Sequence, residues 1–293
     1  MRVFVTGATG FVGSAIVQEL LNAGHQVLGL ARSEAAAEAL VHAGAEAHVG
    51  SLNDLESLRR GAAAADGVIH TAFNHDFSEY EAAGETDRQA IGALGSVLAG
   101  SDRPLLVTAG LAGFAPGRLA TEEDTPAALP RMSEPAALAL AAQGVHASVI
   151  RLAASVHDRD DRGFVPTLIA IARQTGVSAY VGNGLNRWPA VHRLDAARLY
   201  RLALEKGAAG ARYHGAADEG IPMCDIAASI GRHLHLPVVA KSVEEAPAHF
   251  GWMARFIGMD MLASSLLTQQ QLGWHPTQPG LLPDLEQGHY FNR

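Results

Sequence analysis

Residues 1–13, MRVFVTGATGFVG, join a short apolar strand to a glycine-rich turn and then to the start of a helix. In this pattern Gly7 permits the tight turn, Gly10 lets a pyrophosphate approach the backbone, and Gly13 lets the helix pack closely on the sheet. A helix N-terminus also offers free N–H groups and a positive dipole end to phosphates. Because the glycines stand between a strand and a helix, they predict a nucleotide site rather than a merely structural turn.

Beyond this segment, β-branched runs alternate with amphipathic stretches, as expected of a parallel sheet covered by helices. We predict strands at residues 3–5, 27–30, 47–49, 68–71, 105–108 and 147–152. A short helix is expected at residues 54–60, capped by Asn53 or Asp54, and later elements are less regular, with Asp195 and Thr268 as expected helix N-caps. The prediction is an α/β protein with two parts. Residues 1–155, with contributions from 185–210, form a Rossmann-type doubly wound parallel sheet, and 156–293 form mainly a small C-terminal substrate-binding α/β segment.

The composition excludes several classes of protein. The 293 residues carry a net charge of -8, are 48% hydrophobic and include one cysteine, Cys224, so we expect no internal disulfide and no metal site built on cysteine. No basic block suggests nucleic acid, and no apolar run approaches the roughly 20 residues of a membrane span. We expect no signal peptide, because the glycine-rich turn begins at residue 7. We expect a cytoplasmic monomer or homodimer that binds a small-molecule substrate and no metal.

The end of the second predicted strand bears on the choice of cofactor. NAD-binding folds place an Asp or Glu there for the ribose hydroxyls, whereas this chain has Arg32 and Ser33. A guanidinium can pair with a 2′-phosphate, and a neighbouring hydroxyl can join it. The alternative is a solvated arginine at a helix start. The charge at this position predicts NADP rather than NAD.

Several segments together resemble the extended short-chain dehydrogenase/reductase family. They are TGATGFVG at 6–13, the Arg32-Ser33 pair, VIHTAF at 68–73, RLAASVH at 151–157, PAVHRLDAA at 189–197 and LGWHP at 272–276. The resemblance implies a Rossmann domain, a small substrate domain and hydride transfer at a carbinol or carbonyl. It assigns cofactor binding to Gly7, Thr9, Gly10, Phe11, Val12, Gly13, Arg32, Ser33, Leu52, Thr71, Ala72, Phe73, Thr108, Ala154 and Ser155.

The chain departs from that family at its proton donor, a Tyr followed four residues later by a Lys. The only lysines are Lys206 and Lys241, and the residues four before them are Leu202 and Pro237, so no such pair exists. Matching Glu134 with the family's downstream Glu places Pro126 and Pro130 at the Tyr and Lys positions. Loss of this pair resembles an atypical subgroup of the family, whose members are described loosely as epimerases or dehydratases.

Other side chains are therefore candidates for the chemistry. Thr108 is expected to follow the fifth strand, where its hydroxyl would polarise a carbonyl, and Asp87 falls where the family usually has a catalytic Asn. His75, on the loop after the fourth strand, and His157, beside the expected nicotinamide, are candidates because histidine as a residue type exchanges protons near neutral pH. Tyr80 is a further candidate, whereas His70 is expected to be a satisfied core residue.

Three functions follow from this reasoning. The first is an NADP(H)-dependent oxidoreductase of atypical mechanism that acts on a small carbonyl or hydroxyl compound. The second is a non-catalytic NADP(H)-binding sensor or regulator, and the third is a nucleotide-sugar epimerase or dehydratase. All three predict a bound dinucleotide; they differ in what happens next to the nicotinamide.

Overall fold

The computed structural model describes residues 1–74, 80–126 and 132–292. Its strands are, in chain order, β1 (Arg2–Thr6), β2 (Gln26–Ala31), β3 (Glu46–Val49), β4 (Gly67–His70), β5 (Leu105–Gly110), β6 (Ala147–Leu152), β7 (Ser155–His157), β8 (Ser178–Val181), β9 (Arg187–His192), β10 (Arg212–Gly215), β11 (Asp218–Pro222) and β12 (Val238–Lys241). Its helices are α1 (Phe11–Asn22), α2 (Glu34–His42), α3 (Leu55–Ala63), α4 (Tyr80–Leu98), α5 (Ser133–Ala142), α6 (Phe164–Thr175), α7 (Arg193–Lys206), α8 (Met223–Leu234), α9 (Ala246–Phe250), α10 (Ala254–Ile257), α11 (Leu266–Leu272) and α12 (Leu281–Glu286).

Seven of the described strands form a parallel sheet in the order β10-β6-β5-β4-β1-β2-β3. One face packs on α1, α2 and α7, through buried residues such as Ile16, Leu40 and Leu199. The other face packs on α3, α4 and α5, through residues such as Leu58 and Leu94. Helices on both faces of a parallel sheet are the doubly wound arrangement, so the predicted fold class is confirmed.

A second, smaller core lies beyond the large sheet. The strands β11-β9-β7 form one small sheet and β12-β8 form another, and α6, α8, α9 and α12 bury apolar residues between them. Ala112, which follows β5, and Ala154, which follows β6, pack against this second core. The smaller core therefore meets the large sheet at the carboxyl ends of its central strands, the edge at which open α/β sheets bind ligands. After the small sheet, α7 and β10 return to the large one.

Some local expectations are confirmed and others are wrong. Asp54 caps α3 by accepting a hydrogen bond from the Ser57 N–H at 2.9 Å, as its residue type favours. Asp195 is not the cap of α7, which begins at Arg193, because its carboxylate instead accepts N–H bonds from the segment after Trp274. Thr268 likewise lies inside α11, whose N-cap is Ser265.

Within the described residues, no helix has both the length and the apolar composition that crossing a membrane requires.

Candidate functional site

The turn between β1 and α1 is packed so tightly that two of its positions admit no side chain. Gly7 has φ +70°, a conformation that favours glycine, and a Cβ there would lie 2.7 Å from Thr71 Oγ1. A Cβ on Gly13 would lie 1.9 Å from the Gly7 carbonyl oxygen, so α1 approaches the turn more closely than any other residue allows. The glycine pattern therefore builds the cradle that a dinucleotide pyrophosphate requires.

The first turn of α1 is left open toward that cradle. Gly10 occupies the N-cap in extended backbone without a side-chain cap, and its own N–H donates to the Gly7 carbonyl at 2.9 Å. The following residues, Phe11, Val12 and Gly13, belong to the first turn, whose N–H groups have no acceptor within a helix. No acidic side chain stands in this turn, so nothing there repels a phosphate. These groups fit the pyrophosphate of a dinucleotide.

Arg32 and Ser33 lie at the same edge, between β2 and α2. Arg32 is exposed, and its guanidinium makes no ion pair with a described residue. Ser33 is the N-cap of α2, because its Oγ accepts from the Ala36 N–H at 3.2 Å. That bond uses the oxygen of the hydroxyl and leaves its proton to donate to a ligand. Leu52, after β3, is half-buried at the same edge.

The segment after β4 is tied to β1 beneath the phosphate turn. Thr71 Oγ1 donates to the Thr6 carbonyl at 2.8 Å, and the Ala72 N–H donates to Thr6 Oγ1 at 3.3 Å. Phe73 follows, half-buried, with its ring centre 5.8 Å from that of Tyr80. These bonds hold Thr71 and Ala72 next to Gly7, and cofactor binding by them and by Phe73 stays a prediction.

Asp87 lies at the centre of a buried hydrogen-bonded chain. Its Oδ1 lies 2.9 Å from His70 Nε2, its Oδ2 accepts from Ser133 Oγ, and His70 Nδ1 lies 2.7 Å from Thr6 Oγ1. An ionised Asp87 accepts from Nε2–H, so Nδ1 accepts the Thr6 hydroxyl proton. The chain connects α4 and α5 to the strand that carries the phosphate turn. His70 is thus a satisfied core residue, as predicted.

Thr108 lies within β5 and does not follow it, because the strand continues to Gly110. Its hydroxyl is buried, donates to the His70 carbonyl at 2.8 Å and lies 2.7 Å from the Tyr200 hydroxyl. Since the single Thr108 proton goes to His70, Tyr200 is the donor in the second bond. The structure therefore places Thr108 between the sheet and α7, on a partner 92 residues away that no local sequence signal reveals.

His157 is fully buried at the end of β7 in the small sheet. Its Nδ1 lies 2.9 Å from Asp284 Oδ2, and its ring lies edge-on to that of His192, with centres 5.3 Å apart. Burial lowers the pKa of His192. Ala154 and Ser155 precede His157, and Ser155 Oγ is buried without a hydrogen-bond partner among the described residues. His75 lies outside the described residues.

The positions that match the family's Tyr and Lys, Pro126 and Pro130, precede α5 in this chain. α5 begins at Ser133, one residue before Glu134, and Pro126 lies outside any helix. Glu134 accepts from Arg151 Nε at 2.8 Å and from its Nη2 at 2.6 Å, so this Glu is a partner of the buried Arg151. Pro130 lies outside the described residues. The described part of this helix keeps the family's Glu but not the turns that would carry a Tyr and a Lys.

Arg151 also contacts His214, a residue that the sequence did not single out. His214 Nδ1 donates to the Ser264 carbonyl at 2.7 Å, and its Nε2 accepts from Arg151 Nη1 at 3.0 Å. Burial, helped by the neighbouring Arg151 charge, lowers the pKa of His214 to about 3. His214 is therefore neutral near pH 7, with its proton on Nδ1.

Residues 187 and 188 are an Arg–Trp pair ahead of the PAVHRLDAA segment, and by sequence alone Trp188 fits either the core or the border of a substrate pocket. Trp188 is fully buried, with its ring centre 5.2 Å from that of Phe164. Arg187 donates to both Asp260 oxygens, at 3.0 and 2.9 Å, and this pairing lowers the pKa of Asp260. The Asp260 carboxylate also accepts the Gly117 N–H, from the segment after β5, at 2.8 Å. Arg187 thus fastens that segment to the smaller core.

Sequence comparisons match the first part of the chain to a known family and the whole chain to two relatives. The sequence model of the NAD dependent epimerase/dehydratase family matches residues 3–94. An uncharacterised protein of Schizosaccharomyces pombe is 52% identical over 295 residues, covering 99% of this chain and 100% of that protein. An uncharacterised protein of Saccharomyces cerevisiae is 45% identical over 298 residues and covers 100% of each chain.

Solved structures with a similar fold are found at lower sequence identity. A nucleoside-diphosphate-sugar epimerase from Pseudomonas aeruginosa has a TM-score of 0.77 at 21% identity, covering 100% of this chain and 99% of that one. A dTDP-glucose 4,6-dehydratase from Streptomyces venezuelae, solved with NAD bound, has a TM-score of 0.77 at 20% identity, covering 98% and 96%. At these identities the likeness is one of fold.

Proposed function

The chain belongs to the NAD dependent epimerase/dehydratase family of short-chain dehydrogenase/reductases, and on that premise we propose an NADP(H)-dependent oxidoreductase for a small carbonyl or hydroxyl compound. One observation carries the proposal: the glycine-rich turn that opens α1 lies at the same sheet edge as the exposed Arg32. When bound, the nicotinamide supplies or accepts the hydride. The protein's part is to bind the dinucleotide, orient it and provide a proton.

Arg32 supports NADP(H) over NAD(H) through its charge. A carboxylate at the end of β2 would repel a 2′-phosphate, whereas a guanidinium matches phosphate with paired N–H donors. The exposed Arg32 side chain makes no ion pair with a described residue. Pairing with a phosphate therefore breaks none of the ion pairs that the structure describes. The Ser33 O–H, whose oxygen already caps α2, adds a donor at the same place.

Proton transfer needs a donor other than a Tyr–Lys pair. Thr108 and Asp87 are buried in the contacts described above, and we propose that they position the strands beneath the nicotinamide. Tyr80 is half-buried, begins α4 and lies against Phe73 at the carboxyl end of β4. We propose Tyr80 as the phenol that donates the proton. His75 precedes it by five residues and is the second candidate.

The test combines binding and turnover. The purified protein is titrated with NADPH and NADH while its thermal unfolding is followed, since ligand at 100 times its Kd adds about 2.7 kcal/mol. The loss of NADPH absorbance is then measured with a panel of aldehydes and ketones. We expect stabilisation by NADPH and turnover that falls in Tyr80→Phe while binding persists. If neither dinucleotide stabilised the protein, the proposal would fail.

A sensor of the NADP(H) pool is the second candidate, favoured by Pro126 at the family's Tyr position. It predicts tight NADPH binding, no turnover across the whole panel, and a partner protein whose binding depends on the oxidation state of the dinucleotide. A nucleotide-sugar epimerase or dehydratase is the third. It predicts binding of a nucleoside-diphosphate sugar and conversion of that sugar without net consumption of NADPH.

A further inference from the structure

Arg193 lies where the small sheet meets the phosphate turn. It is the first residue of α7, and its guanidinium carbon is 4.8 Å from the centre of the Phe11 ring. Phe11 is the first residue of α1 and directly follows Gly10 of the turn. The Arg193 side chain therefore brings a positive charge to the helix end at which the phosphates of a dinucleotide are expected.

The pairing of two strands fixes this position. β7 and β9 run parallel with His157 opposite His192, so the residues that follow them, Asp158 and Arg193, leave the small sheet side by side. Arg193 Nη2 lies 3.0 Å from Asp158 Oδ2, and Asp158 Oδ1 lies 3.6 Å from His192 Nε2. The guanidinium is thus held in one place by a carboxylate that belongs to the smaller core.

The contacts of Arg193 leave donors unused. Its side chain is 22% exposed, yet its Nε is buried and has no hydrogen-bond partner in the parts of the chain that the structure describes. A guanidinium carries five N–H donors, and leaving a buried one unpaired costs free energy. A cation in the first turn of a helix is also opposed by the helix dipole. Both costs are offset if an anion binds here.

We infer that Arg193 binds the pyrophosphate of the dinucleotide, together with the backbone N–H groups of the turn. The inference rests on the proposed NADP(H) binding and extends it to a residue outside the glycine pattern. Asp158 holds the guanidinium beside the turn and competes with the phosphates for it. The pyrophosphate is common to NADPH and NADH, so Arg193 acts on both dinucleotides, whereas Arg32 acts on the 2′-phosphate of NADPH alone.

In the experiment, the whole protein is titrated with NADPH and with NADH, and calorimetry measures the Kd of each dinucleotide. Arg193→Ala is expected to raise the Kd of both dinucleotides about tenfold or more, as loss of a charge-assisted contact does. Asp158→Asn is expected to lower both Kd values several-fold, since it releases the guanidinium. Arg201→Ala is the matched control, because Arg201 joins α7 to Glu19 of α1 at the opposite end of the two helices. It should leave both Kd values unchanged.

Three results would overturn the inference. Unchanged binding in Arg193→Ala would show that its charge does not act on the ligand. An equal rise of the Kd values in Arg193→Ala and Asp158→Asn would show that their ion pair serves only the fold. In that case the unfolding midpoints of both variants, measured without ligand, would fall by the same amount. Failure of the unsubstituted protein to bind either dinucleotide would overturn both this inference and the proposed function, whereas the first two results leave the proposed function intact.

Discussion

Arg151 and Glu134 form a bidentate ion pair inside the protein, with Nε–Oε2 and Nη2–Oε1 distances of 2.8 and 2.6 Å. The Arg151 side chain is fully buried, and the Glu134 side chain is 4% exposed. Arg151 also donates to the Asp124 carbonyl at 2.9 Å and lies over the Phe114 ring. The pair therefore joins α5, β6 and the segment after β5 at the edge where the cofactor is expected.

Removal of one member of this pair should unfold the protein more readily. Glu134→Ala leaves a buried guanidinium without its carboxylate, which costs about 3–5 kcal/mol. Urea unfolding followed by circular dichroism measures the loss. Glu85→Ala, which removes the exposed partner of Arg88 on α4, is the control and should change stability little. Similar losses in the two variants would show that burial of the Glu134 pair does not matter.

Gly13 should tolerate no side chain. A Cβ there would lie 1.9 Å from the Gly7 carbonyl oxygen, so Gly13→Ala must displace α1 or the phosphate turn. We expect NADPH affinity to fall by about 100-fold and stability by about 1–3 kcal/mol. Gly92→Ala is the matched control, because Gly92 is exposed on α4 and a Cβ there meets nothing within 4 Å. It should raise stability by about 0.5–1 kcal/mol. Normal binding by Gly13→Ala would contradict this geometry.

The Thr108–Tyr200 bond should couple the sheet to α7. Thr108→Val leaves the Tyr200 hydroxyl without this acceptor in a buried place, at a cost of about 1–3 kcal/mol. Tyr200→Phe and the double variant complete a thermodynamic cycle, whose coupling should be about 1 kcal/mol. NADPH turnover by the variants separates two roles. A positioning role predicts losses in stability and little change in the rate constant once the protein is folded. A Thr108 that polarises a carbonyl predicts a lower rate constant and little loss of stability.

His214 should make stability depend on pH. Its pKa is lowered from 6.5 to about 3 in the folded protein, mainly by burial, so the unfolded chain binds one more proton between these values. Stability therefore falls as the pH falls from about 6.5 toward 3, by about 1.4 kcal/mol per pH unit from this group. Urea unfolding at several pH values should show a shallower slope for His214→Asn than for the unsubstituted protein. Equal slopes for His214→Asn and the unsubstituted protein would contradict this account.

Features encoded by neighbouring residues could be predicted from the sequence. The phosphate turn, the alternation of strands and helices and the Asp54 cap each depend on residues a few positions apart, and the structure has them all. The absence of a Tyr–Lys pair could be deduced from the positions of the only two lysines in the sequence. The contacts of Thr108 with Tyr200, Arg151 with Glu134 and Arg193 with Asp158 could not be predicted. They join residues 92, 17 and 35 positions apart, and only the packed fold decides which side chains meet.

The burial of Thr108 and His157 was also beyond prediction. Both were singled out as candidates for the chemistry, because the residue types suit it and their positions match the related family; a role of either at the nicotinamide stays a prediction. The direction of a strand side chain depends on register and on where the strand ends, and β5 continues two residues past Thr108. A strand end misjudged by two residues is enough to move a hydroxyl from the edge of a sheet into its interior.

NADPH and NADH titrations of Arg32→Ala beside the unsubstituted protein test the cofactor assignment most directly. Loss of a guanidinium from a 2′-phosphate should raise the Kd of NADPH by about 10- to 100-fold and leave the Kd of NADH nearly unchanged, since NADH has no phosphate there. The unsubstituted protein should bind NADPH more tightly than NADH. Equal losses for the two dinucleotides in Arg32→Ala, or tighter binding of NADH by the unsubstituted protein, would contradict the assignment of NADP(H) to this chain.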